Sequence, residues 1–286
     1  MPPLVSILTP TYGRGEFVRL LAQMIAQQTV PLRQMEWIVL DDSPTPTAAW
    51  LRTHPLGKQL DRLQYVYTPD RRPIGAKRNA TIELARGTYC VQMDDDDCYG
   101  ARYVETVLRE FESAPTARVV GSSIIHLLYP NEPCLWQVGP FGANHSGAAT
   151  LSFRRVSYGL THRYNDADAK AEERSFLNGY REPMRQIRGI EAVYFTLVHA
   201  TNTVSKDRVR RWPTHVPWQL AVPCVDALMH YHCLSRRPSR PLFAVPPSAQ
   251  AKQARAAVVA LLRCVHLVTS VLLTSSPILS SSCSGR

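Results

Sequence analysis

Four consecutive aspartates, Asp94 to Asp97, are the residues of this 286-residue chain whose types and spacing point most directly to chemistry. Their carboxylates repel one another, so the run is costly unless a positive partner binds it. Carboxylate oxygens are the ligands that hard divalent cations prefer. The run follows a short apolar segment, and ligands bind at the carboxyl ends of strands in open α/β sheets. It therefore predicts a metal site for a phosphorylated substrate.

Alternating strand and helix patterns would position these carboxylates. Strands are predicted where short apolar runs occur, at 5–8, 37–40, 63–67, 88–93 and 119–125. Helices are predicted from Glu16 onward, at 75–86 and at 103–111. The first helix carries the apolar spacing i, i+3, i+4, i+7, i+8 from Phe17 to Ile25, which is typical of a helix packed on a sheet. The alternation indicates an α/β fold with a mostly parallel sheet and flanking helices.

The pattern changes beyond about residue 130. Pro, Gly and aromatic residues suggest a smaller second subregion of antiparallel strands and loops, with its clearest helix at 169–179. The region 206–286 is basic and rich in proline, with 11 Lys and Arg against 2 Asp and Glu, so it carries nearly all of the net charge of +10. The chain shows no basic motif interleaved with aromatics and no zinc module, so we expect no nucleic-acid partner.

The apolar stretch 256–273 has the minimum length of a membrane span, but Arg263 and His266 lie near its middle. Membrane association through this stretch is not favoured over a packed or surface-lying helix or disorder. The seven cysteines are scattered, and the amino terminus has no secretion-signal pattern. We therefore expect reduced thiols and a cytoplasmic location.

Four segments of the sequence, taken in their order along the chain, resemble the motifs of a known family. They are VSILTPTY at 5–12, WIVLDDS at 37–43, PIGAKRN at 73–79 and ARGTYCVQMDDDD at 85–97. Residues 4 to about 205 resemble the GT-A fold nucleotide-sugar glycosyltransferases of inverting family 2. The resemblance implies a Rossmann-like sheet plus a smaller acceptor-side subregion. It also implies a domain at 1–205, with a nucleotide-sugar-binding half at 1–125 and an acceptor-side half at 126–205, followed by the basic region.

The resemblance implies a donor site around the aspartate run. The donor would be a nucleoside diphosphate sugar, with uridine as the expected base, bound together with Mn²⁺ or Mg²⁺. By similarity to the family's Asp-x-Asp motif, Asp96 would bind the metal, while Asp94 and Asp95 would lie nearer the ribose and the sugar. His199 would supply a further metal or diphosphate ligand, and its imidazole would suit Mn²⁺ better than Mg²⁺.

Other residues would contact the nucleotide by the same resemblance. Asp42 would accept hydrogen bonds from the base or ribose, although the sequence Asp-Asp-Ser-Pro is also common turn chemistry. Pro10 and Tyr12 would flank the base, Tyr12 by stacking. Arg78, near the start of a predicted helix, would meet the diphosphate, although 77–79 could equally be a solvated helix face.

Transfer with inversion requires a general base that removes the proton of the acceptor hydroxyl. The resemblance places this base at Glu173 in the acidic pair of Glu172 and Glu173. Glu172 and Asp168 remain candidates, and the pair could instead be part of a charged helix face.

The same residues allow competing interpretations. A calcium loop beginning at Asp95 would place Tyr99 and Thr106 at ligand positions, which excludes it. A dinucleotide fingerprint at 13–18 lacks its third glycine, which is Val18. A nucleotidyltransferase and an inactive glycosyltransferase-like binding module remain the alternatives. The prediction is a glycosyltransferase whose acceptor is a glycan, lipid or protein.

Overall fold

The computed structural model describes residues 3–129, 135–199, 202 and 216–218. The helices of this part are α1 (Gly15–Ala26), α2 (Ile74–Leu84), α3 (Tyr103–Ser113) and the single turn α4 (Glu173–Phe176). The strands are β1 (Val5–Thr11), β2 (Met35–Asp41), β3 (Arg62–Tyr67), β4 (Tyr89–Gln92), β5 (Asp97–Tyr99), β6 (Val119–Gly121), β7 (Ile125–Leu128), β8 (Leu135–Val138), β9 (Ser152–Arg154), β10 (Arg185–Gln186), β11 (Tyr194–Leu197) and β12 (Val216–Trp218).

A seven-stranded sheet with the order β10-β6-β9-β4-β1-β2-β3 forms the centre of the molecule. Strands β4, β1, β2 and β3 are parallel neighbours, as the alternating pattern predicts. Their register pairs Thr11 of β1 with Asp41 of β2, and Leu8 of β1 with Gln92 of β4. Because these strands are parallel and in close register, the segments that follow them meet at one edge of the sheet.

The predicted first helix is confirmed as α1, which packs its apolar side against this sheet. Phe17, Leu21 and Ile25 are each exposed by 1% or less. Leu21 and Ile25 join the buried side chains of β1 and β2 in one continuous hydrophobic core. Removing this apolar surface from water is the main favourable contribution to folding, at about 25 cal/mol per Å².

The predicted strand at 119–125 is wrong in one respect, because the chain divides into β6 and β7. Between them, the hydroxyl of Ser122 donates to the carbonyl of Ile124 and accepts from its N–H, at 2.7 and 3.1 Å. This turn sends β7 into a second, five-stranded sheet with the order β12-β8-β7-β11-β5. The acceptor-side subregion is also not purely antiparallel, because β11 pairs with β7 in parallel. Strands β9 and β10 belong to the first sheet, so both predicted halves, 1–125 and 126–205, contribute strands to it. The division into a donor half and an acceptor half stays a prediction.

The helix predicted at 169–179 is likewise too long, because α4 is a single turn. Ala171 before it has a φ of 53°, and Asn178 and Gly179 after it have φ of 49° and 67°. These left-handed conformations lie outside the helical region and end the helix on both sides.

No helix in the described part of the chain is long and apolar enough to span a membrane. The stretch 256–273 lies outside the described residues, as does the basic region apart from 216–218.

Candidate active site

The carboxyl edge of the parallel strands gathers most of the predicted site residues. Thr11 ends β1, Asp41 ends β2, and the aspartate run begins two residues after the end of β4. The hydroxyl of Thr11 donates to Asp95 at 2.6 Å, which joins the first strand to the run. The sheet edge predicted to bind the ligand is thus the place where these side chains converge.

Arg14 is the cation that faces the aspartate run. Its Nη1 lies 3.0 Å from Oδ1 of Asp95 and 2.7 Å from Oδ2 of Asp96. The loop that carries Arg14 passes close to Thr47. A Cβ on Gly15 would lie 2.3 Å from the carbonyl oxygen of Thr47, so glycine is required at this position. Burial raises the pKa of Asp95 above its ordinary value, and the guanidinium of Arg14 opposes that rise.

Asp96 meets His199 although the two are far apart in sequence. Oδ2 of Asp96 lies 2.9 Å from Nε2 of His199, and the side-chain amide of Asn202 donates to the same oxygen at 3.3 Å. The imidazole is 1% exposed and packs on the ring of Phe17, with 4.8 Å between the ring centroids. The two residues predicted to bind a metal are therefore adjacent.

The side-chain atoms Asp96 Oδ2 and His199 Nε2 are spaced as two ligands of one divalent ion would be. Two ligands at right angles, each about 2.1 Å from an octahedral ion, lie about 3 Å apart. The 2.9 Å between Asp96 Oδ2 and His199 Nε2 matches that spacing. The described residues contain no group of three or more His, Cys, Asp or Glu arranged as a metal site. Mg²⁺ is usually bound through one or two carboxylates, with its other positions taken by substrate phosphates and water.

Arg78 connects the aspartate run to the acidic pair. Its guanidinium binds both carboxylate oxygens of Asp94 at 2.9 Å, while Nε binds Glu172 at 2.8 Å and Nη1 binds Gln92 at 2.9 Å. Arg78 is 1% exposed. In this arrangement the guanidinium of Arg78 positions the carboxylates of Asp94 and Glu172. Its predicted contact with a diphosphate stays a prediction, because the guanidinium is turned toward these carboxylates.

Glu173 differs from its neighbour Glu172 in its environment. Glu172 is buried against Arg78, whereas the carboxylate of Glu173 accepts a hydrogen bond from the hydroxyl of Tyr180 at 3.2 Å. Burial and the adjacent charge of Glu172 raise the pKa of Glu173 to about 7. A carboxylate with a pKa near the working pH suits general base catalysis. Asp168, the third candidate, accepts a hydrogen bond from Ser175 at 2.8 Å.

The predicted nucleotide contacts lie at the same edge but differ in access. Asp42 is fully buried, and its carboxylate accepts hydrogen bonds from Nζ of Lys77 at 2.8 Å and the backbone N–H of Arg72 at 2.7 Å. Pro10 is buried within β1. Tyr12 is partly exposed, and the guanidinium of Arg71 lies 4.2 Å from its ring centroid. Of these residues, Tyr12 has the accessible surface that a base needs for stacking.

Sequence reasoning missed residues that contact the predicted ones. They are Thr11, Arg14, Gln92, Tyr180 and Asn202. Arg14 had a readable signal, because it stands between two glycines directly after the first strand. The others depend on contacts between distant parts of the chain, which spacing does not reveal.

Comparison with known proteins identifies the domain. Residues 6–132 match the family described as "Glycosyl transferase family 2". This part of the chain, 127 of its 286 residues, is similar to family 2 glycosyltransferases.

Curated relatives of the domain carry glycosyltransferase names. A validoxylamine A glucosyltransferase of Streptomyces hygroscopicus subsp. jinggangensis is 29% identical over 122 residues, which cover 41% of this chain and 28% of the relative. The putative teichuronic acid biosynthesis glycosyltransferase TuaG of Bacillus subtilis is 30% identical over 96 residues, which cover 33% of this chain and 36% of the relative. The chain therefore spans about a third of the length of these relatives.

Solved structures show the same fold at low sequence identity. S. aureus TarS 1–349 in complex with UDP-GlcNAc is 13% identical, with a TM-score of 0.53, 96% of this chain covered and 76% of TarS. Mannosyltransferase PcManGT from Pyrobaculum calidifontis, in complex with GDP-Man and Mn²⁺, is 17% identical, with a TM-score of 0.51, 97% of this chain covered and 77% of PcManGT. The family 2-like domain thus has the GT-A fold that the sequence predicts.

Proposed function

We propose that the family 2-like domain transfers a sugar from a nucleoside diphosphate sugar to an acceptor hydroxyl, with inversion and with the help of a divalent cation. The Arg78 bridge is the observation that carries this proposal. One guanidinium binds Asp94 of the aspartate run and Glu172 of the acidic pair. The donor side and the acidic pair that contains the candidate base are therefore joined by one side chain, and a single displacement requires that these groups be held close together.

Asp96 and His199 would hold the cation, Mn²⁺ or Mg²⁺. When bound, the ion would neutralise the negative charge that grows on the diphosphate as the glycosidic bond breaks. Asp94 keeps a side chain that is 22% exposed and would face the ribose or the sugar. Asp95 is 2% exposed and binds Thr11 and Arg14, so its role would be to position Arg14.

A uridine-linked donor is the first to test. Support comes from TarS, which has the same fold and was crystallised with UDP-GlcNAc. PcManGT also has this fold and was crystallised with GDP-Man, so a guanosine-linked donor is the second to test. The partly exposed ring of Tyr12 offers the base a stacking surface at the end of β1. Stacking on one aromatic ring does not distinguish uracil from guanine, so an assay with both UDP-sugars and GDP-sugars is needed to decide between them.

Glu173 would act as the base. Its carboxylate takes the proton of the acceptor hydroxyl as that oxygen bonds to the anomeric carbon, and the bond from this carbon to the diphosphate breaks on the opposite face. The nucleoside diphosphate leaves with the bonding electrons. The pKa of about 7 keeps a large fraction of Glu173 ionised at neutral pH while retaining basicity.

The test is Glu173→Gln in the full chain, assayed with UDP-sugars and GDP-sugars, Mn²⁺ and a panel of saccharide acceptors. We expect kcat to fall by about 10²- to 10⁴-fold, which is the usual contribution of a general base. Donor affinity, measured by calorimetry, should stay within about twofold, because the change affects proton transfer rather than donor binding. The control is Glu83→Gln, which alters a side chain that is 58% exposed and should leave kcat unchanged.

The other outcomes separate the alternatives. Normal turnover in Glu173→Gln would move the base to Glu172 or Asp168. Release of pyrophosphate from a nucleoside triphosphate and a sugar phosphate would identify a nucleotidyltransferase. Tight binding of nucleotide sugars with no turnover in the parent chain would identify a binding module.

A further inference from the structure

A cavity of about 450 Å³ lies outside the donor site, and none of the residues assigned to that site lines it. Its volume is within the range of small-molecule sites, about 300 to 1,000 Å³. It opens at the carboxyl end of β6, which runs parallel to β4 because both pair with β9 in antiparallel fashion. The cavity therefore lies at the same sheet edge as the aspartate run. It is lined by Ser122, Ser123, Ile124, Pro140, Phe141, Gly142, Ala143, Gln186 and Ile187.

The loop 139–147, which forms one wall, is held in place by Gln186. The side-chain amide of Gln186 donates to the carbonyls of Ala143 and His145 at 2.8 and 3.0 Å, and its oxygen accepts the N–H of Ser123 at 2.7 Å. At Gly139, with a φ of +92°, a Cβ would lie 2.2 Å from the carbonyl oxygen of Ser123. Because the loop is fixed at both places, the cavity wall has a defined shape.

A row of aromatic rings connects this wall to the base. Phe141 is 39% exposed, and its ring centroid lies 4.8 Å from that of His145. His145 stacks on Tyr180 at 4.6 Å, and the Tyr180 hydroxyl donates to Glu173 at 3.2 Å. Tyr180 has a φ of 63°, a conformation that costs about 1 kcal/mol or more in a residue other than glycine. Backbone strain of this kind is concentrated at functional sites.

The lining selects the chemical class of the occupant. Among the described residues that border the cavity, none carries a charge. Phosphate and carboxylate groups are recognised by Arg and Lys, so an anionic ligand has no matching partner in this set. A sugar ring has an apolar C–H face that packs on an aromatic ring and hydroxyls that bond to amide and hydroxyl groups. Phe141 supplies the first kind of contact, and the hydroxyl of Ser123 lies where the second is needed.

We propose that this cavity binds a neutral sugar ring of a glycan acceptor, stacked on Phe141, with the glycan extending along His145 and Tyr180 toward Glu173. The proposal rests on the proposed glycosyl transfer, and it names the acceptor class of that reaction. Phe141 is a binding residue in this assignment, and Tyr180 positions the carboxylate of Glu173.

The test is saturation-transfer NMR on the full chain in the presence of UDP and Mn²⁺. The probes are methyl β-glucoside, methyl β-N-acetylglucosaminide and maltose, each compared with glucose 6-phosphate and glucuronate. We expect the neutral probes to bind and the anionic ones to bind at least about fivefold more weakly. Phe141→Ala should weaken the neutral probes by about five- to tenfold, which corresponds to one lost aromatic contact. Phe141→Trp should retain binding, and Leu160→Ala, a change at a leucine that is 49% exposed and outside the cavity, should have no effect.

Three results would overturn the proposal. They are equal binding of neutral probes to the parent and Phe141→Ala, a preference for the anionic probes, and saturation transfer from polyprenyl phosphate vesicles with none from any saccharide. Calorimetry with UDP-GlcNAc and GDP-mannose on the same samples separates the two levels of inference. If a donor binds and the neutral sugars do not, the cavity assignment fails alone; if neither donor binds, the proposed transfer fails.

Discussion

The donor side and the acceptor side of the candidate site are built in contrasting ways. The donor side lies on long parallel strands, and β1 and β2 are each seven residues of fully buried chain. The acceptor side, from residue 139 to 197, has strands of two to four residues and helical segments of three to five residues. Regular elements hold side chains more exactly in place than loops do, whereas loops vary without loss of the fold. The contrast indicates a fixed site for the donor and an adaptable one for the acceptor.

The charges of the two sides differ in the same sense. On the donor side, Arg14 and Arg78 each bind carboxylates of the aspartate run, and Lys77 binds Asp42. On the acceptor side, Glu173 has a hydroxyl as its hydrogen-bond partner, and its pKa is raised to about 7. The donor carboxylates are therefore paired with cations, while the acceptor carboxylate is kept near the point where it exchanges a proton.

The largest expected effect is on the donor side, at Asp96. Asp96→Ala removes the carboxylate proposed to bind the cation, and the loss of several kcal/mol of charge stabilisation corresponds to about a thousandfold in kcat. Transfer and donor hydrolysis should both be lost, and Mn²⁺ binding measured by electron paramagnetic resonance should be lost with them. Asp61→Ala changes an exposed aspartate before β3 and is the control. Near-normal turnover in Asp96→Ala would exclude Asp96 as the metal ligand.

The next effect tests the bridge between the two sides. Arg78→Met removes the cation shared by Asp94 and Glu172, and uncompensated buried charge lowers the free energy of unfolding by about 3 to 5 kcal/mol. Urea denaturation at pH 7.5 measures this change. Arg163→Met breaks an exposed pair with Glu83, so we expect a loss of about 1 kcal/mol or less. Equal losses in the two variants would show that Arg78 does not stabilise the contact between the sides.

Sequence reasoning succeeded where local pattern determines structure. The apolar stripe of α1 and the strands β1 to β4 follow from periodicity, because each segment carries its own signal. The GT-A fold was implied by the family resemblance of the four motifs. The division of 119–125 into two strands depends on one turn at Ser122, and apolar runs on both sides conceal it. Asn178 and Gly179 were a readable end signal for α4, but nothing in the type of residue predicts the left-handed conformation of Ala171.

The same division applies to the candidate site. The position of Asp94 to Asp96 at the sheet edge could be predicted because they follow a strand, whereas the role of Glu173 was implied by the family resemblance and stays a prediction. The role of Arg78 could not be predicted in this way. Its partners Asp94 and Glu172 are 16 and 94 residues away, so the network exists only after the chain has folded. Where a side chain has distant partners, sequence gives its type and the fold decides its role.

A smaller effect is expected from Arg14, which shares the oxygen of Asp96 proposed for the cation. In Arg14→Gln, the loss of a positive charge at 2.7 Å should strengthen Mn²⁺ binding in the absence of nucleotide, by about tenfold at pH 7.5. Isothermal titration with MnCl₂ measures the affinity. Arg19→Gln, on an exposed side chain of α1, is the matched control and should leave it unchanged. Weaker Mn²⁺ binding in Arg14→Gln would mean that Arg14 organises the site instead of competing for it.

The smallest effect is a shift in the pH profile from the acceptor side. Glu173 must be ionised to act as a base, so kcat should rise with pH through about 7, the raised pKa of this carboxyl group. The hydroxyl of Tyr180 stabilises the ionised form and lowers that pKa. Tyr180→Phe should therefore raise the pKa and move the rising limb of the profile upward by less than about one pH unit.

Measuring kcat from pH 5.5 to 9 tests this shift in a way that separates positioning from general damage. At pH 9 the carboxylate is ionised in both proteins, so kcat in Tyr180→Phe should approach that of the parent, while at pH 6 it should be several-fold lower. Tyr89→Phe removes a hydroxyl that accepts from Arg154 near the start of β4, at the opposite edge of the sheet, and should leave the profile in place. A loss of kcat that is equal at every pH would show that Tyr180 affects the acceptor site through its shape and not through the proton affinity of Glu173.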